Sequence, residues 1–292
     1  MTRPLRVAVV ARSVFPLHGL GGLERSVYDL VRHLASGGID VTLITRTPAQ
    51  PVAPDAIDPR ITTVFVPYKT FPLAGRRGTT VIDRSTAYPL FGERAGKVAF
   101  DLVERGAIDV VHGFGASVLG YARRRASAAA PLVLNPQGLE EFGATDPSRA
   151  RLKRAAYLPL RKAVRACARA ADAVIATDRA LEPAVLNHLG IAPERMRTIP
   201  NALDLATVDG LATASDGARV RLASGIAPDD VVLLSVSRIE ENKGFHVLLH
   251  ALAALRTHGA LEEPWRWVAL GEGPYRSALE TLASKLGVSD HV

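Results

Sequence analysis

The sequence predicts an α/β fold of parallel sheets covered by helices, arranged as two Rossmann-like, doubly wound domains. Three observations carry that expectation. Short apolar runs alternate with helical stretches almost throughout. The alternation is interrupted once, at Pro200-Asn-Ala-Leu-Asp204 and the softer Ala212-Thr-Ala-Ser-Asp-Gly217 that follows. A chain of 292 residues also suits two domains. The expected domains are therefore residues 1–205 and 206–292.

The chain opens on Leu5-Arg-Val-Ala-Val-Val-Ala11. This run is too short for a signal-peptide core, and Arg12 ends it, so it reads as the first strand. Further strands are expected at 41–45, 61–66, 109–112, 131–135, 173–177 and 197–199. Helices are expected at 23–35, 92–105, 116–126, 149–170 and 179–189. Strands separated by helices pair in parallel with both faces covered. After the interruption, Val231-Val-Leu-Leu-Ser-Val236 is the continuous apolar run of a buried parallel strand. A helix at 245–255, a strand at 267–270 and a helix at 275–286 follow. Gly287-Val-Ser-Asp-His-Val292 reads as the run-in to a third strand. Two strands are too few for a doubly wound sheet, so the second domain is expected to be incomplete.

Apolar residues make up 48% of the chain and charged residues 22%, ordinary values for a globular protein. The net charge of +7 points to an anionic partner. No surface interleaves aromatic and basic residues in a way that reads nucleic acid, so that partner is not expected. Cys167 is the only cysteine, which fits a reducing compartment. No apolar run approaches the length of a membrane span, and the expected location is the cytoplasm. From Arg149 to Ala171 there are eight Arg or Lys residues and no acid, interleaved with Leu152, Tyr157, Leu158, Leu160 and Val164. This stretch reads either as a basic face against anionic lipid at the inner membrane surface or as a covering helix with a solvated side. Pro159 argues against one continuous rod.

The richest chemistry lies in Ser235-Val-Ser-Arg-Ile-Glu-Glu-Asn-Lys-Gly244. It joins a strand to a helix, so Arg238 and Lys243 stand above the carboxyl end of a sheet, where open α/β folds bind ligands. A forked guanidinium beside an ammonium suits a diphosphate, although a solvated loop with two surface cations has the same composition. The first strand-to-helix loop carries Gly19, Gly21 and Gly22, which read either as letting a ligand approach the backbone at a helix N-terminus or as a flexible glycine-rich connection. A dinucleotide fingerprint is excluded. Its sixth position is Glu24, the loop is too long, and the second strand ends in Thr45-Arg46 without an acid for a ribose. Asp109-Val-Val-His-Gly-Phe-Gly115 brings His112 to a strand end, as a substrate-orienting or a packed histidine. Ala269-Leu-Gly-Glu-Gly-Pro-Tyr275 is another strand-to-helix loop, which reads either as a nucleotide-approaching loop through Gly271 and Gly273 or as a plain turn with Pro274 near the helix start. There is no Asp-x-Asp pair and no His cluster with metal spacing, so no metal is expected.

Taken in order, these stretches resemble the family 4 glycosyltransferases of the GT-B fold. The matching residues are Gly21-Gly-Leu-Glu24, Asp40-Val-Thr-Leu-Ile-Thr45, Asp109-Val-Val-His112, Ala171-Asp-Ala-Val-Ile-Ala-Thr177, Ile199-Pro-Asn-Ala-Leu-Asp204, Ser237-Arg238 through Lys243-Gly244, and Gly271-Glu-Gly-Pro274. The resemblance implies two Rossmann-like domains facing across a cleft, with the acceptor held mainly by residues 1–205 and a nucleotide-sugar donor mainly by residues 206–292. It implies sugar transfer with retention of configuration and without a metal or other cofactor. The acceptor would be a polysaccharide precursor, another sugar, a lipid or a small metabolite. By the resemblance, Arg238 and Lys243 bind the donor diphosphate and stabilise it as leaving group. Gly21, Gly22, Gly271 and Gly273 approach the donor, and His112 lies near the transferred sugar.

The sequence departs from the family pattern in three places. A His-x-His is common at the His112 site, with its second histidine tied to catalysis, and here that position is Phe114. The usual Pro-Asn-Gly-Val-Asp reads Pro200-Asn-Ala-Leu-Asp204. The Glu-x7-Glu element whose second Glu holds the donor ribose is expected beyond Val292. Glu272 and Glu280 share its spacing but fall in the wrong loop. A retaining glycosyltransferase is the leading expectation. A non-catalytic fragment with weak nucleotide binding and a GT-B nucleotide-sugar epimerase are the rivals.

Overall fold

The computed structural model describes residues 3–19, 21–53, 56–70, 80–143, 155–259 and 264–292. The chain divides into two units, Met1–Leu203 and Asp204–Val292. Each has its own sheet and its own core.

The first unit is built on seven strands: β1 (Arg6–Val10), β2 (Asp40–Arg46), β3 (Ile61–Val66), β4 (Val110–Phe114), β5 (Leu132–Asn135), β6 (Ala173–Ala176) and β7 (Met196–Thr198). Their order is β3-β2-β1-β4-β5-β6-β7, and every pairing is parallel. The order reverses between β1 and β4, which makes that edge the switch point of a doubly wound sheet. Alternation along β1 shows how both faces are buried. Ala8 and Val10 join one core with Ala95 and Ala99 of α2 (Thr80–Glu104), and with Leu160 and Val164 of α4 (Leu158–Ala170). Val7 and Val9 join the opposite core with Val27 and Val31 of α1 (Gly22–Ser36).

Several expected elements differ in extent. The helix expected at 92–105 begins at Thr80 and runs through Pro89, because Ala87, Tyr88 and Phe91 continue its buried stripe. That burial offsets the bond lost at the proline. The helix expected at 116–126 is a 3₁₀ turn (Gly115–Val118), a single α-turn α3 (Leu119–Ala122) and a second 3₁₀ turn (Arg125–Ser127). Of the helix expected at 149–170, residues 149–154 lie outside the described residues. Pro159 does not break the rest, since it sits in the first turn of α4, where a missing N–H costs no bond. The helix expected at 179–189 is a 3₁₀ turn (Arg179–Leu181) followed by α5 (Glu182–Leu189).

The second unit pairs β8 (Val231–Val236) in parallel with β9 (Trp265–Leu270). α8 (Phe245–Thr257) and α9 (Arg276–Lys285) bury Leu249, Leu252, Leu279, Trp265 and Trp267 against one face. On the strands, Leu234, Val236 and Leu270 remain 62%, 66% and 60% exposed. Before β8 come α6 (Leu205–Asp209) and α7 (Ala214–Ala223). The soft stretch at 212–217 therefore starts a helix. Its signal is a capping box, with the Thr213 N–H donating to Asp216 at 2.9 Å and the Asp216 N–H donating to Thr213. Within the expected run-in to a third strand lies a 3₁₀ turn (Ser289–His291), held where the His291 ring stacks 4.4 Å from Trp265.

Glycine sets how closely α2 approaches the segment after β4. A Cβ on Gly92 would stand 1.9 Å from the Ala116 carbonyl oxygen, and one on Gly120 would stand 2.0 Å from the Glu93 carbonyl oxygen. Backbone rather than a movable side chain fills the space in both cases. We expect Gly120→Ala to destabilise the chain by on the order of 2 kcal/mol, read as a lower urea midpoint at unchanged slope. An unaltered midpoint would show that the helices separate at no cost.

Candidate active site

In the first unit a cavity of ≈ 260 Å³ opens at the carboxyl edge of the sheet. Gly22 at the start of α1, Gly115 after β4, Asn135 at the end of β5, Thr177 after β6 and Asn201 after β7 all line it. Parallel pairing brings these five positions to one edge, although up to 179 residues (201 − 22) separate them in sequence. Gly21 caps α1 in extended backbone, and a Cβ there would meet only the mobile end of Glu24. A Cβ on Gly22 would meet nothing, so its bareness faces the cavity rather than a neighbouring part of the fold. Ser26, one turn on, donates to Asn201 Oδ1 at 2.9 Å and ties the helix start to the end of the sheet.

The loop Asn135-Pro-Gln-Gly-Leu-Glu-Glu141 forms another wall of this cavity, and the sequence reading passed over it. Gln137 and Leu139 adopt φ of 66° and 51°, a left-handed backbone that side chains avoid. Asn135 stabilises the turn by accepting the Gln137 N–H at 3.0 Å. Arg84 of α2 closes the far side with a 2.8 Å ion pair to Glu140, while its Nε is buried without a partner. Strained residues of this kind persist where a surrounding structure holds them, often at binding sites. The Asn-Pro and Gln-Gly pairs immediately after a strand were the available signal.

His112 lies inside β4, two residues before its end, and Phe114 occupies the edge position. The two rings stack 5.0 Å apart, and His112 is not among the residues lining the cavity. Its Nε2 is buried with no hydrogen-bond partner. Burial pulls its pKa down to about 4, so the imidazole is neutral at pH 7.

In the second unit, Arg238 and Lys243 sit on the connection from β8 to α8. Arg238 is exposed and pairs with Glu240 at 2.6 Å. Lys243 ends a 3₁₀ turn (Glu241–Lys243) and is exposed, and Gly244 leads into α8 with φ 76°. This loop interlocks with the connection after β9. The Ile239 N–H donates to the Glu272 carbonyl at 2.9 Å, and the Tyr275 N–H donates to the Ile239 carbonyl at 3.1 Å. Gly271 and Gly273 are what let the loops touch, since a Cβ would lie 1.9 Å from the Ser237 oxygen or 2.1 Å from the Ile239 oxygen. Glu272 and Glu280 flank Arg276 at 3.9 Å and 2.9 Å, an exposed ion-pair arrangement that accounts for their spacing.

Among the described residues no group of three His, Cys, Asp or Glu is placed to hold a metal ion, and no helix is long and apolar enough to cross a membrane. In the described part of the basic stretch, Arg161 and Arg165 each stand 5.1 Å over the Phe142 ring, and Lys162 and Arg169 are exposed.

A doubly wound seven-stranded unit followed by a smaller parallel α/β unit fits the GT-B architecture, and similarity to known proteins agrees. Residues 20–207 match the pattern of Glycosyltransferase Family 4, and residues 219–292 match that of Glycosyl transferases group 1. The chain belongs to glycosyltransferase family 4. It is 29% identical to a D-inositol 3-phosphate glycosyltransferase of Acidothermus cellulolyticus, in a match covering 99% of this chain and 65% of that protein. The chain thus spans just under two thirds of that relative. Its fold is similar to that of sucrose-phosphate synthase from Thermosynechococcus elongatus, with a TM-score of 0.68 at 20% identity, covering 99% of this chain and 69% of the other. It is also similar to that of Anabaena HepE in complex with UDP, with a TM-score of 0.61 at 19% identity, covering 99% and 68%.

Burial of His112 has a consequence for acid stability. The unfolded imidazole takes up a proton near pH 6.5, and the folded one only near pH 4. A depressed histidine pKa favours the folded state fully above about pH 6.5, and that contribution is lost as pH falls toward 4. We expect roughly 2 kcal/mol of stability to disappear between pH 7.5 and pH 5, and His112→Leu to flatten that slope. Urea titrations of both chains at the two pH values decide the matter, and parallel slopes would refute it.

Proposed function

We propose that this protein transfers a sugar from a nucleotide-sugar donor to a hydroxyl group of an acceptor, with retention at the anomeric carbon. The observation that carries this reading is the pair of interlocked loops above β8 and β9. They hold two exposed cations, Arg238 and Lys243, on a loop that Gly271 and Gly273 let pack directly against the connection after β9. As the sugar's bond to the diphosphate breaks, charge develops on the departing phosphate oxygen. A forked guanidinium and an ammonium near that oxygen stabilise the charged state more than the ground state, which is the condition for catalysis. The acceptor oxygen bonds to the same carbon, and its proton leaves with the diphosphate.

The acceptor, as a sugar, lipid or small metabolite, belongs in this reading to the cavity of the first unit. The carboxamides of Asn135 and Gln137 and the hydroxyls of Ser26 and Thr177 there are the chemistry that bonds to sugar hydroxyls. Gly21 and Gly22 would let the ligand come close to the start of α1. A neutral His112 has no proton to donate as an acid at pH 7, so any part it plays near the transferred sugar is as a hydrogen-bonding imidazole. No step requires a metal. The single thiol, Cys167, is buried with its pKa pushed up to about 12, which leaves it inert and fits a cytoplasmic setting.

Calorimetry with UDP and with the other nucleoside diphosphates is the direct test. We expect Lys243→Ala to weaken binding of the preferred diphosphate by more than about tenfold, or roughly 1.4 kcal/mol. An unchanged affinity would remove Lys243 from the donor site.

A further inference from the structure

Two cations of the first unit, Arg12 and Arg46, stand at its ligand-facing sheet edge with no ion pair to a carboxylate among the described residues. Arg12 follows β1 and Arg46 ends β2, so both stand at the carboxyl edge of neighbouring parallel strands. The Arg12 guanidinium lies 4.7 Å over the Tyr88 ring, and that of Arg46 lies 5.5 Å over Tyr68. Among the described residues neither makes an ion pair with a carboxylate. Contrast Arg6, which forks onto Asp109 at 2.8 Å and 3.1 Å. Arg12 also hydrogen-bonds the Tyr68 hydroxyl, and the donors left on a guanidinium supported by an aromatic face fit two oxygens of a tetrahedral anion.

Arg46 is more than a solvated surface cation. Its Nε is buried without a hydrogen-bond partner. Burial lowers its pKa, and the Arg12 charge lowers it further, against the opposing influence of Tyr68, Glu24 and Asp83. Two like charges near each other on a half-buried edge repel until an anion joins them. The Tyr88 ring that carries Arg12 also lines the first-unit cavity, so a ligand in that cavity has Arg12 across one ring from it.

We propose that Arg12 and Arg46 form an anion site for a phosphoryl group carried by the acceptor. This rests on the first unit being the acceptor half, and it is separate from the diphosphate site of Arg238 and Lys243. A soluble phosphate ester and a lipid-linked phosphate present the same group, so the test has an arm for each.

The soluble arm titrates inorganic phosphate and glycerol 3-phosphate into the full chain by calorimetry, with UDP at saturation so that the donor site does not compete. The membrane arm measures co-sedimentation with vesicles of phosphatidylglycerol in phosphatidylcholine. Each arm uses the unaltered chain, Arg12→Gln, Arg46→Gln, Arg46→Lys and, as a control, Lys162→Gln. We expect binding to fall about tenfold in either glutamine variant, to fall less in Arg46→Lys, which keeps the charge without the fork, and to stay level in Lys162→Gln. A loss in the soluble arm assigns a soluble ester, and a loss only in the vesicle arm assigns a lipid-linked one. Absence of binding in both arms, or binding by both glutamine variants as tight as by the unaltered chain, overturns the site. UDP affinity measured on the same samples keeps the two readings apart, because it reports the donor site whatever the phosphate result. Arg46→Lys and the melting curves identify a variant that fails only by unfolding.

Discussion

Parallel pairing about β1 is the constraint on which the first unit depends. β1 pairs with β2 on one side and β4 on the other, with Val9 registered against both Leu43 and His112. A parallel sheet delivers all its strand ends to one edge, and the reversal of order at β1 and β4 parts the loops there to leave a crevice. The cavity, the bare start of α1, the strained loop at 135–141 and the arginines after β1 and β2 all follow from that single geometry. The opposite edge does another job. Arg6 and Arg3 hold Asp109 there, lowering its carboxyl pKa to about 2 and joining β1 to the start of β4. One edge is tied shut by paired charges, and the other carries chemistry.

The second unit reaches a similar end by different means. Among the described residues its sheet has two strands, so the loops above β8 and β9 are not placed by a crowd of neighbours. They place each other instead, through backbone bonds between 239 and 272–275 and through glycines that admit no Cβ. Gly271 and Gly273 therefore serve the fold before they serve any ligand. A rigid pair of loops also fixes where Arg238 and Lys243 start, which matters because an exposed cation otherwise spends its binding energy on being ordered.

The sequence made the alternation, the two units and the cationic loop legible, because continuous apolar runs such as 231–236 and glycine-rich connections are local signals. What it hid was what tertiary packing decides. The helix expected at 92–105 leaves Pro89 outside, yet the buried stripe of Ala87, Tyr88 and Phe91 carries α2 through it. Pro159 reads as a break but occupies a first turn. Asp109-Val-Val-His112 reads as one functional motif, whereas the structure gives its first residue a structural ion pair and buries its last inside the sheet. The left-handed backbone at Gln137 and Leu139 leaves no mark in residue type, since neither is the glycine such a conformation favours.

A net charge of +7 says that cations outnumber acids without saying which of them are spare. Partners sort them. Arg6, Arg60 and Arg125 each bond two oxygens of a single aspartate, so their donors are spent on the fold. Arg161 and Arg165 lie over Phe142, and Arg165 also donates to the His188 carbonyl at 2.7 Å. Arg12 and Arg46 also stand on aromatic rings, but at the carboxyl edge of β1 and β2, with no carboxylate ion pair among the described residues and with the Arg12 charge acting on Arg46. Repulsion of that kind is a cost the folded chain bears only where something else repays it. In this architecture the edge on which the two arginines stand is also the edge where small molecules bind, so an anion is the partner their geometry calls for.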